Sequence, residues 1–389
     1  MSRIVRLGVY VSNREPESGG AHSFEQAVLD GLSSLKSAHS ITIFYHGELS
    51  CRRNPNFEYV RVGFLSAKSA LDRVAREFKR ILIKVGLADS NDLKFLARKH
   101  KIELMWFATA SYQAVDTPFV YTVWDLNHRL HPEFPEISGN GEWQHRERHY
   151  TSVLPFARKI ITGLKLGKKQ ISEFYDIAPE KISVVRFPIP DFPPEESRTE
   201  CSSTNNATID FKKNKPFIFY PANFWPHKDH LTVINALKFI RESGWDLELI
   251  LTGHDTGGKA AIVEKLKTAG QSDSVKFLGF VGKDTLRNLY QNAFALVYAS
   301  HCGPDNLPPL EAFHLGCPVI CARYDGAEEQ LGDGALYFRK GDPVGIVTHL
   351  LSLNDGARRQ KMIAEGKLRV QGWGGSAYVA AVFRELELG

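Results

Sequence analysis

SHCGPDNLPPLEAFHLGCPVIC, residues Ser300–Cys321, decides how this chain is read. A polar loop runs into Pro308-Pro309. Both prolines suit the first helical positions, because they lack N–H groups that a helix start cannot use. Glu311 follows in the first turn, Leu310 and Phe313 are spaced for one buried face, and then come a glycine and a short apolar strand. A carboxylate beside free helix N–H groups suits a ligand with hydroxyls next to phosphates, and a nucleotide sugar is such a ligand. On spacing alone, the helix dipole also accounts for a first-turn Glu.

On either side of this stretch, short apolar runs alternate with helical patterns. In the first half, strands are expected at Ile4–Val11, Ile41–His46, Ile102–Phe107, Phe119–Val123, Lys159–Thr162 and Ile182–Phe187, with helices between them. Residues 188–215 break the pattern: they are rich in Pro, Ser, Thr, Asn and charge, and they read as a linker. A second series follows, with strands at Phe217–Pro221, Leu247–Thr252, Val275–Leu278, Ala295–Ala299, Pro318–Cys321 and Ala335–Phe338. The alternation predicts two α/β domains with mainly parallel sheets. The expected division is a first domain over 1–190, a linker over 191–215, a second domain over 216–370, and a terminal helix over 371–389. Ligands in such domains sit at the carboxyl ends of strands, where helix N-termini point into the crevice.

Bulk properties narrow the function classes. At 389 residues, with 43% apolar and 24% charged side chains, the chain has the composition of a globular protein. No apolar run reaches 18 residues, and the first apolar run has no small-residue cleavage site after it, so the expected location is cytoplasmic. The five cysteines show no paired spacing and read as reduced thiols. A net charge of +5 is compatible with phosphate-bearing ligands or an anionic membrane surface. No nucleic-acid-binding motif is present, so no nucleic-acid partner is expected. No ligand cluster stands at metal spacing, so no metal or other cofactor is expected.

Two further segments carry chemistry. In FIFYPANFWPHKDHLTVINAL, Phe217–Leu237, a strand leads to a loop bearing Asn223, His227 and Lys228, and Asp229 is a good N-cap for the next helix. A lysine just before a helix start can neutralise a diphosphate; a solvated surface lysine is the alternative. Ala67–Val85 is an amphipathic pattern with a strongly basic remainder. Its readings are a face on anionic lipid or a core-packed helix with a solvated basic side.

The Leu307–Glu311 block and its surroundings resemble the E-x7-E region of retaining glycosyltransferases with the GT-B fold (family 4, the group 1 type, in a bacterial polysaccharide-type variant). Phe217–Leu237 is similar to that family's diphosphate loop. Gly326–Phe338 resembles the block that follows, Gly19-Gly20 its N-terminal glycine turn, and Pro118–Pro135 the block that often carries a His-Asp pair. The resemblance implies two Rossmann-like domains facing each other across a cleft. It also implies metal-independent transfer of a hexosyl unit, of mannose or glucose type, from a GDP- or UDP-sugar to a glycan or lipid-linked saccharide. By carry-over, Glu311 would bind ribose hydroxyls and Lys228 the diphosphate. Gly20, Asn223, His227, Gly303, Asp305, Asn306, Leu307 and Pro308 would complete the donor side. Asp125, His128, Arg129 and His131 would face the acceptor, with His128 the candidate to orient its hydroxyl; an ordinary loop histidine is the alternative. The terminal helix would return to the first domain, as it often does in the family. The absence of any D-x-D pair agrees with a metal-independent transferase.

Three positions depart from the family pattern. Gly303 stands where the first Glu is usual, Asn223 where an Arg is usual, and Trp124 where the His of the pair is usual. They keep open a catalytically silent partner subunit as an alternative reading. A GT-B sugar-nucleotide epimerase is another, although its acid and base residues are not identifiable. A nicotinamide dehydrogenase is disfavoured, because no G-x-G-x-x-G follows either domain's first strand.

Overall fold

A computed structural model of the chain describes residues 4–15, 18–49, 51–63, 92–192, 215–268 and 270–387. The basic pattern at 67–85 and most of the expected linker lie outside the described residues. The chain forms two compact units. Unit 1 takes residues 1–124, 147–188 and 374–389, and unit 2 takes residues 125–146 and 189–373.

Unit 1 holds a seven-stranded sheet with the order β3-β2-β1-β4-β5-β6-β7. The strands are β1 (Arg6–Val11), β2 (Ser40–Tyr45), β3 (Glu58–Arg61), β4 (Leu104–Phe107), β5 (Phe119–Thr122), β6 (Lys159–Thr162) and β7 (Ile182–Val184). Every pairing is parallel. Parallel strands covered on both faces read as continuous apolar runs, which is why Leu7–Val11 and Leu104–Phe107 are buried along their whole length. The edge strand β3 escaped the sequence reading. Its EYVR is short and largely half-buried, so it carries neither alternation nor a full apolar run.

The described helices of unit 1 begin with α1 (Gly20–Ser34) and α2 (Asp92–Lys99). After β5 the chain passes through two short helices, α3 (Asn127–Leu130) and α4 (Pro135–Ser138), and then α5 (Glu142–Val153); α6 (Lys165–Tyr175) joins β6 to β7. Residues 125–146 leave unit 1 and pack as part of unit 2.

Unit 2 holds a six-stranded parallel sheet with the order β10-β9-β8-β11-β12-β13. Its strands are β8 (Phe217–Pro221), β9 (Glu248–Thr252), β10 (Val275–Phe277), β11 (Ala295–Tyr298), β12 (Val319–Ala322) and β13 (Ala335–Phe338). Each matches an expected strand to within a residue or two at either end. The helices are α7 (His230–Glu242), α8 (Lys259–Thr268), α9 (Lys283–Asn292), α10 (Leu307–Leu315), α11 (Ala327–Leu331), α12 (Pro343–Ser352) and α13 (Gly356–Val370). One apolar core runs through both faces of this sheet, with Phe219, Leu249, Leu296 and Val319 wholly enclosed.

The terminal helix α14 (Gly375–Glu385) packs on α1 within unit 1. Here glycine is a requirement of close approach. A Cβ on Gly375 would stand 1.9 Å from the Ala27 carbonyl oxygen, and one on Gly31 would stand 2.3 Å from the Gly375 carbonyl oxygen. The side-chain bond from Ser183 to Glu385 ties the far end of the helix to β7.

Candidate functional site

In each sheet the strand order reverses direction once, between β1 and β4 in unit 1 and between β8 and β11 in unit 2. Loops at the carboxyl ends of such neighbouring strands diverge and leave a crevice for a ligand. In unit 2 those loops are the two that the sequence singled out.

After β8, a single helical turn over Pro226–Lys228 delivers Lys228 to this position. Asp229 then starts α7, accepting the Thr232 backbone N–H at 3.2 Å and its hydroxyl at 2.6 Å. The loop is pinned from several sides. Tyr220 donates its hydroxyl to the Lys228 carbonyl, and the His301 amide donates to the His227 carbonyl at 2.8 Å. Asn223 is occupied elsewhere: its Oδ1 accepts the His254 amide at 2.9 Å, which stitches the β8 loop to the β9 loop.

Lys228 Nζ donates to Tyr298 Oη at 3.1 Å and to Ser300 Oγ at 3.2 Å. Among the described residues no carboxylate lies within ion-pair distance of it. Burial lowers its pKa to about 8. A desolvated ammonium held only by hydroxyls gains most from an incoming anion.

The second loop runs from β11 to α10. Tyr298 passes its own proton to Asn306 Oδ1 at 2.7 Å, and Asn306 Nδ2 donates to the Cys302 carbonyl at 2.9 Å. Gln330 clamps the Asn306 backbone, accepting its N–H at 3.3 Å and donating to its carbonyl at 3.0 Å. With the Asn306 amide engaged and Pro308 and Pro309 lacking N–H groups, the Leu307 amide is the donor left to face a ligand at the start of α10.

Gly303 lies deep in this turn. A Cβ there would come within 2.5 Å of the Tyr324 ring and 2.6 Å of the Asp325 carbonyl oxygen. No carboxylate side chain fits at that position with these neighbours. Asp305 stands two residues on, its Oδ2 buried without a hydrogen-bond partner. Burial, with repulsion from Glu329 and Asp125, pushes its carboxyl well above the ordinary range.

Glu311 is 6% exposed, and its Oε2 accepts the Tyr290 hydroxyl at 2.8 Å. Burial raises its pKa to about 7, and the Tyr290 bond offsets only part of that. Oε1 is the oxygen left to accept a ligand hydroxyl.

The residues expected on the acceptor side all fall in the 125–146 excursion, hence in unit 2 rather than the first domain. Asp125 accepts from Arg146 at 2.8 Å and from the Asn127 amide at 2.9 Å. Burial works against its charge, yet these partners hold its carboxyl below the ordinary range. His128 is fully enclosed, with its ring 6.5 Å from that of Trp143. His131 is nearly buried and pairs with Glu133 at 3.3 Å, and Arg129 is half-buried. Of these four, Asp125 alone lines a pocket of about 520 Å³ between the excursion and the Trp225–His227 turn.

His227 is spoken for in a way that the sequence did not signal. Its backbone N–H and its Nδ1 both meet Glu136 Oε1, at 2.9 and 2.7 Å. Burial and the neighbouring Lys228 lower the imidazole to about pH 4, so the ring is a neutral donor to an ionised Glu136.

In unit 1, Gly20 is the first residue of α1, after a turn in which Gly19 takes φ +61°. The loop before it is held by the buried Glu25, whose carboxylate accepts the amides of Asn13 at 2.7 Å and Arg14 at 2.8 Å. The Arg14 guanidinium lies 5.4 Å from the Trp124 ring centre, and Phe24 meets that ring edge-on. Trp124 is therefore part of a packed aromatic cluster. Sequence reasoning missed Arg14, Glu25, Glu136, Tyr290, Tyr298 and Gln330. Gln330 sits in the Gly326–Phe338 block but was not singled out there, the others sit in no motif, and a core tyrosine or glutamine carries no periodic signal of its own. Among the described residues, no group of three His, Cys, Asp or Glu side chains could hold a metal ion, and no helix is long and apolar enough to cross a membrane.

Solved structures share this two-sheet arrangement over nearly the whole chain. Sucrose-phosphate synthase from Thermosynechococcus elongatus aligns with a TM-score of 0.72 at 14% identity, covering 98% of this chain and 99% of that one. Anabaena HepE in complex with UDP and glucose aligns with a TM-score of 0.68 at 16% identity, with the same coverage. The fold is GT-B.

Residues 203–369 match the family described as Glycosyl transferases group 1, a region that contains β8–β13, Lys228 and Glu311. The O-antigen chain mannosyltransferase RfbU of Salmonella typhimurium is 30% identical over 186 residues, 48% of each chain. O-antigen chain mannosyltransferase B of Escherichia coli is 24% identical over 236 residues, 60% of this chain and 61% of that one. The chain thus spans about half the length of the first relative and about three fifths of the second.

Proposed function

We propose that this GT-B protein is a retaining glycosyltransferase that moves a hexosyl unit, of mannose or glucose type, from a GDP- or UDP-sugar to a glycan or lipid-linked saccharide. The observation that carries the reading is Lys228: a half-buried lysine at the switch point of unit 2, whose ammonium is bonded, among the described residues, only to Tyr298 and Ser300. The family matched by residues 203–369 and the mannosyltransferases similar to this chain support sugar transfer. The HepE structure with UDP and glucose supports a nucleoside diphosphate donor.

In this reading Lys228 neutralises the diphosphate as the glycosidic bond to it breaks, and the Leu307 amide adds the positive end of α10. Glu311 Oε1 accepts a ribose hydroxyl, while Tyr290 fixes the other oxygen. Leaving and attack occur on one face, so configuration is retained, and a diphosphate oxygen takes the acceptor proton. Lys228, as a fixed cation, supplies charge that a metal ion supplies elsewhere. We place the protein in the cytoplasm, with peripheral contact to an anionic membrane surface in keeping with its net positive charge.

A nucleotide at one hundred times its Kd stabilises the fold by about 2.7 kcal/mol. GDP or UDP should therefore raise the melting temperature, and Glu311→Ala combined with Lys228→Ala should abolish the rise. No shift with either nucleotide in the unmutated protein would sink the donor reading. Gly303, Asn223 and Trp124, each committed to packing or backbone contacts, favour a silent partner subunit as the second reading. Donor hydrolysis across a panel of nucleotide sugars separates the two.

A further inference from the structure

Two consecutive residues of the β11–α10 loop bond to two consecutive residues of the turn before α7. Ser300 Oγ accepts from Lys228 Nζ at 3.2 Å, and His301 Nε2 meets Asp229 Oδ2 at 3.0 Å. The His301 amide completes the register by donating to the His227 carbonyl at 2.8 Å. His301 thus stands next to Lys228 at the switch point, and all these groups belong to unit 2.

Asp229 decides the state of the ring. Burial works against its charge, but bonds from His301 and Thr232 hold its carboxyl below the ordinary range. An ionised carboxylate can only accept, so Nε2 carries the ring proton and Nδ1 is the basic nitrogen. Nδ1 has no hydrogen-bond partner among the described residues and is not sealed from solvent; 29% of the side chain is exposed. Phe134 packs edge-on against the ring, with the centres 5.7 Å apart.

The charge around the crevice gives this nitrogen a use. A nucleoside diphosphate carries negative charge on each phosphoryl group, and Lys228 is one cation. Asn223 is neutral and bonded to the His254 amide. Burial lowers both His227 and His230 to about pH 4, so neither ring carries charge. Glu136 of α4 is bonded to His227. Cys302, in the same loop, is a neutral thiol that burial pushes up to about 12, and Lys340 after β13 acts on that thiol. With Asp229 ionised, the Asp229–His301 pair is negative until Nδ1 takes a proton. Protonation cancels that charge and turns Nδ1 into a charged donor.

We infer that His301 is a second phosphate-binding residue: a nucleoside diphosphate seated on Lys228 draws a proton from solvent onto Nδ1, and the imidazolium donates it to a phosphoryl oxygen while Asp229 holds the Nε2–H. The inference rests on the nucleotide-sugar reading and deepens it, because it makes diphosphate binding and proton uptake one event. Asp229 is the positioning residue.

The test is nitrogen NMR of the whole chain labelled at histidine, with GDP or UDP added at about pH 7.5, where a free imidazole is largely neutral. Calorimetric titration of the same nucleotides runs beside it. His301→Gln identifies the His301 signals; its amide can still donate to Asp229 but cannot take a proton. Saturating nucleotide should move both His301 ring nitrogens to imidazolium shifts. His301→Gln should weaken the nucleotide tenfold or more, as loss of a hydrogen bond between charged groups implies. Asp229→Asn keeps a cap for α7 and should weaken it severalfold, with His301 left neutral in the complex. A ring whose charge does not change with nucleotide would overturn the inference, as would unaltered affinity in both variants; either result leaves the donor reading standing. If the parent protein binds neither nucleotide, the donor reading fails and this inference with it.

Discussion

Tyr290 donates its hydroxyl to Glu311 Oε2 at 2.8 Å, joining α9 to α10 inside the core of unit 2. The pair changes what Glu311 is. It is a buried carboxyl with one oxygen committed to the fold and a pKa near 7, rather than a solvated first-turn acid.

Stability should therefore depend on pH through this residue. The folded pKa lies above the unfolded one, so the folded state holds the proton more tightly. Its contribution is complete below about pH 4.5 and is lost as pH rises to about 7. A shift of that size is worth about 3 kcal/mol. Urea midpoints measured from pH 4.5 to 8 should fall in the parent protein, and the slope should flatten in Glu311→Gln.

Lys228 shifts in the opposite sense. Its folded pKa of about 8 lies below the ordinary lysine value, so the ammonium is lost early as pH rises. Binding of GDP or UDP should weaken as pH passes through 8, and Lys228→Met should remove that dependence. The same substitution should cost tenfold or more in affinity at pH 7, since hydrogen bonds to charged groups are worth about 1.5–3 kcal/mol. Calorimetric titration across pH 6.5–9.5 measures both effects.

Restoring the family's usual carboxylate should harm this chain. Gly303→Glu, and even Gly303→Ala, drives a Cβ into Tyr324 and the Asp325 carbonyl. Overpacking of this kind costs about 1–3 kcal/mol. Thermal denaturation should show lower melting points for both variants, and an unchanged melting point for Gly303→Glu would show that the turn yields.

The crossing of α1 and α14 gives a comparable test in unit 1. Gly375→Ala places a methyl group 1.9 Å from the Ala27 carbonyl oxygen, and neither backbone is free to move alone. A loss of about 3 kcal/mol is expected. Amide exchange should report it first in these two helices.

Gln330 tests the architecture of the second loop. Its amide holds both backbone groups of Asn306, and its Oε1 also accepts the Tyr324 hydroxyl at 3.0 Å. Gln330→Ala should loosen the start of α10 and weaken nucleotide binding several-fold. The melting point without ligand should fall by a few degrees, about what the loss of one or two buried bonds implies.

By itself, the sequence determined the two parallel sheets, because strands buried on both faces must be apolar along their length and the helices between them carry their own period. It also marked Lys228 and the Leu307–Glu311 helix start, where local chemistry and motif coincide. It left Asp125–Arg146 in the run of the first domain, whereas contacts group that stretch with unit 2, because which unit an excursion packs against depends on residues far away in the chain. Glu136 became legible only when the fold brought it to His227, 91 positions on. The opening stretch changed most. Its free helix start is reduced by two prolines and the bond from Asn306 to Gln330 to one facing amide, and its glycine at 303 is a steric necessity set by Tyr324. Local spacing decides which elements form, whereas burial and partner geometry, set by distant contacts, decide what each polar group is left free to do.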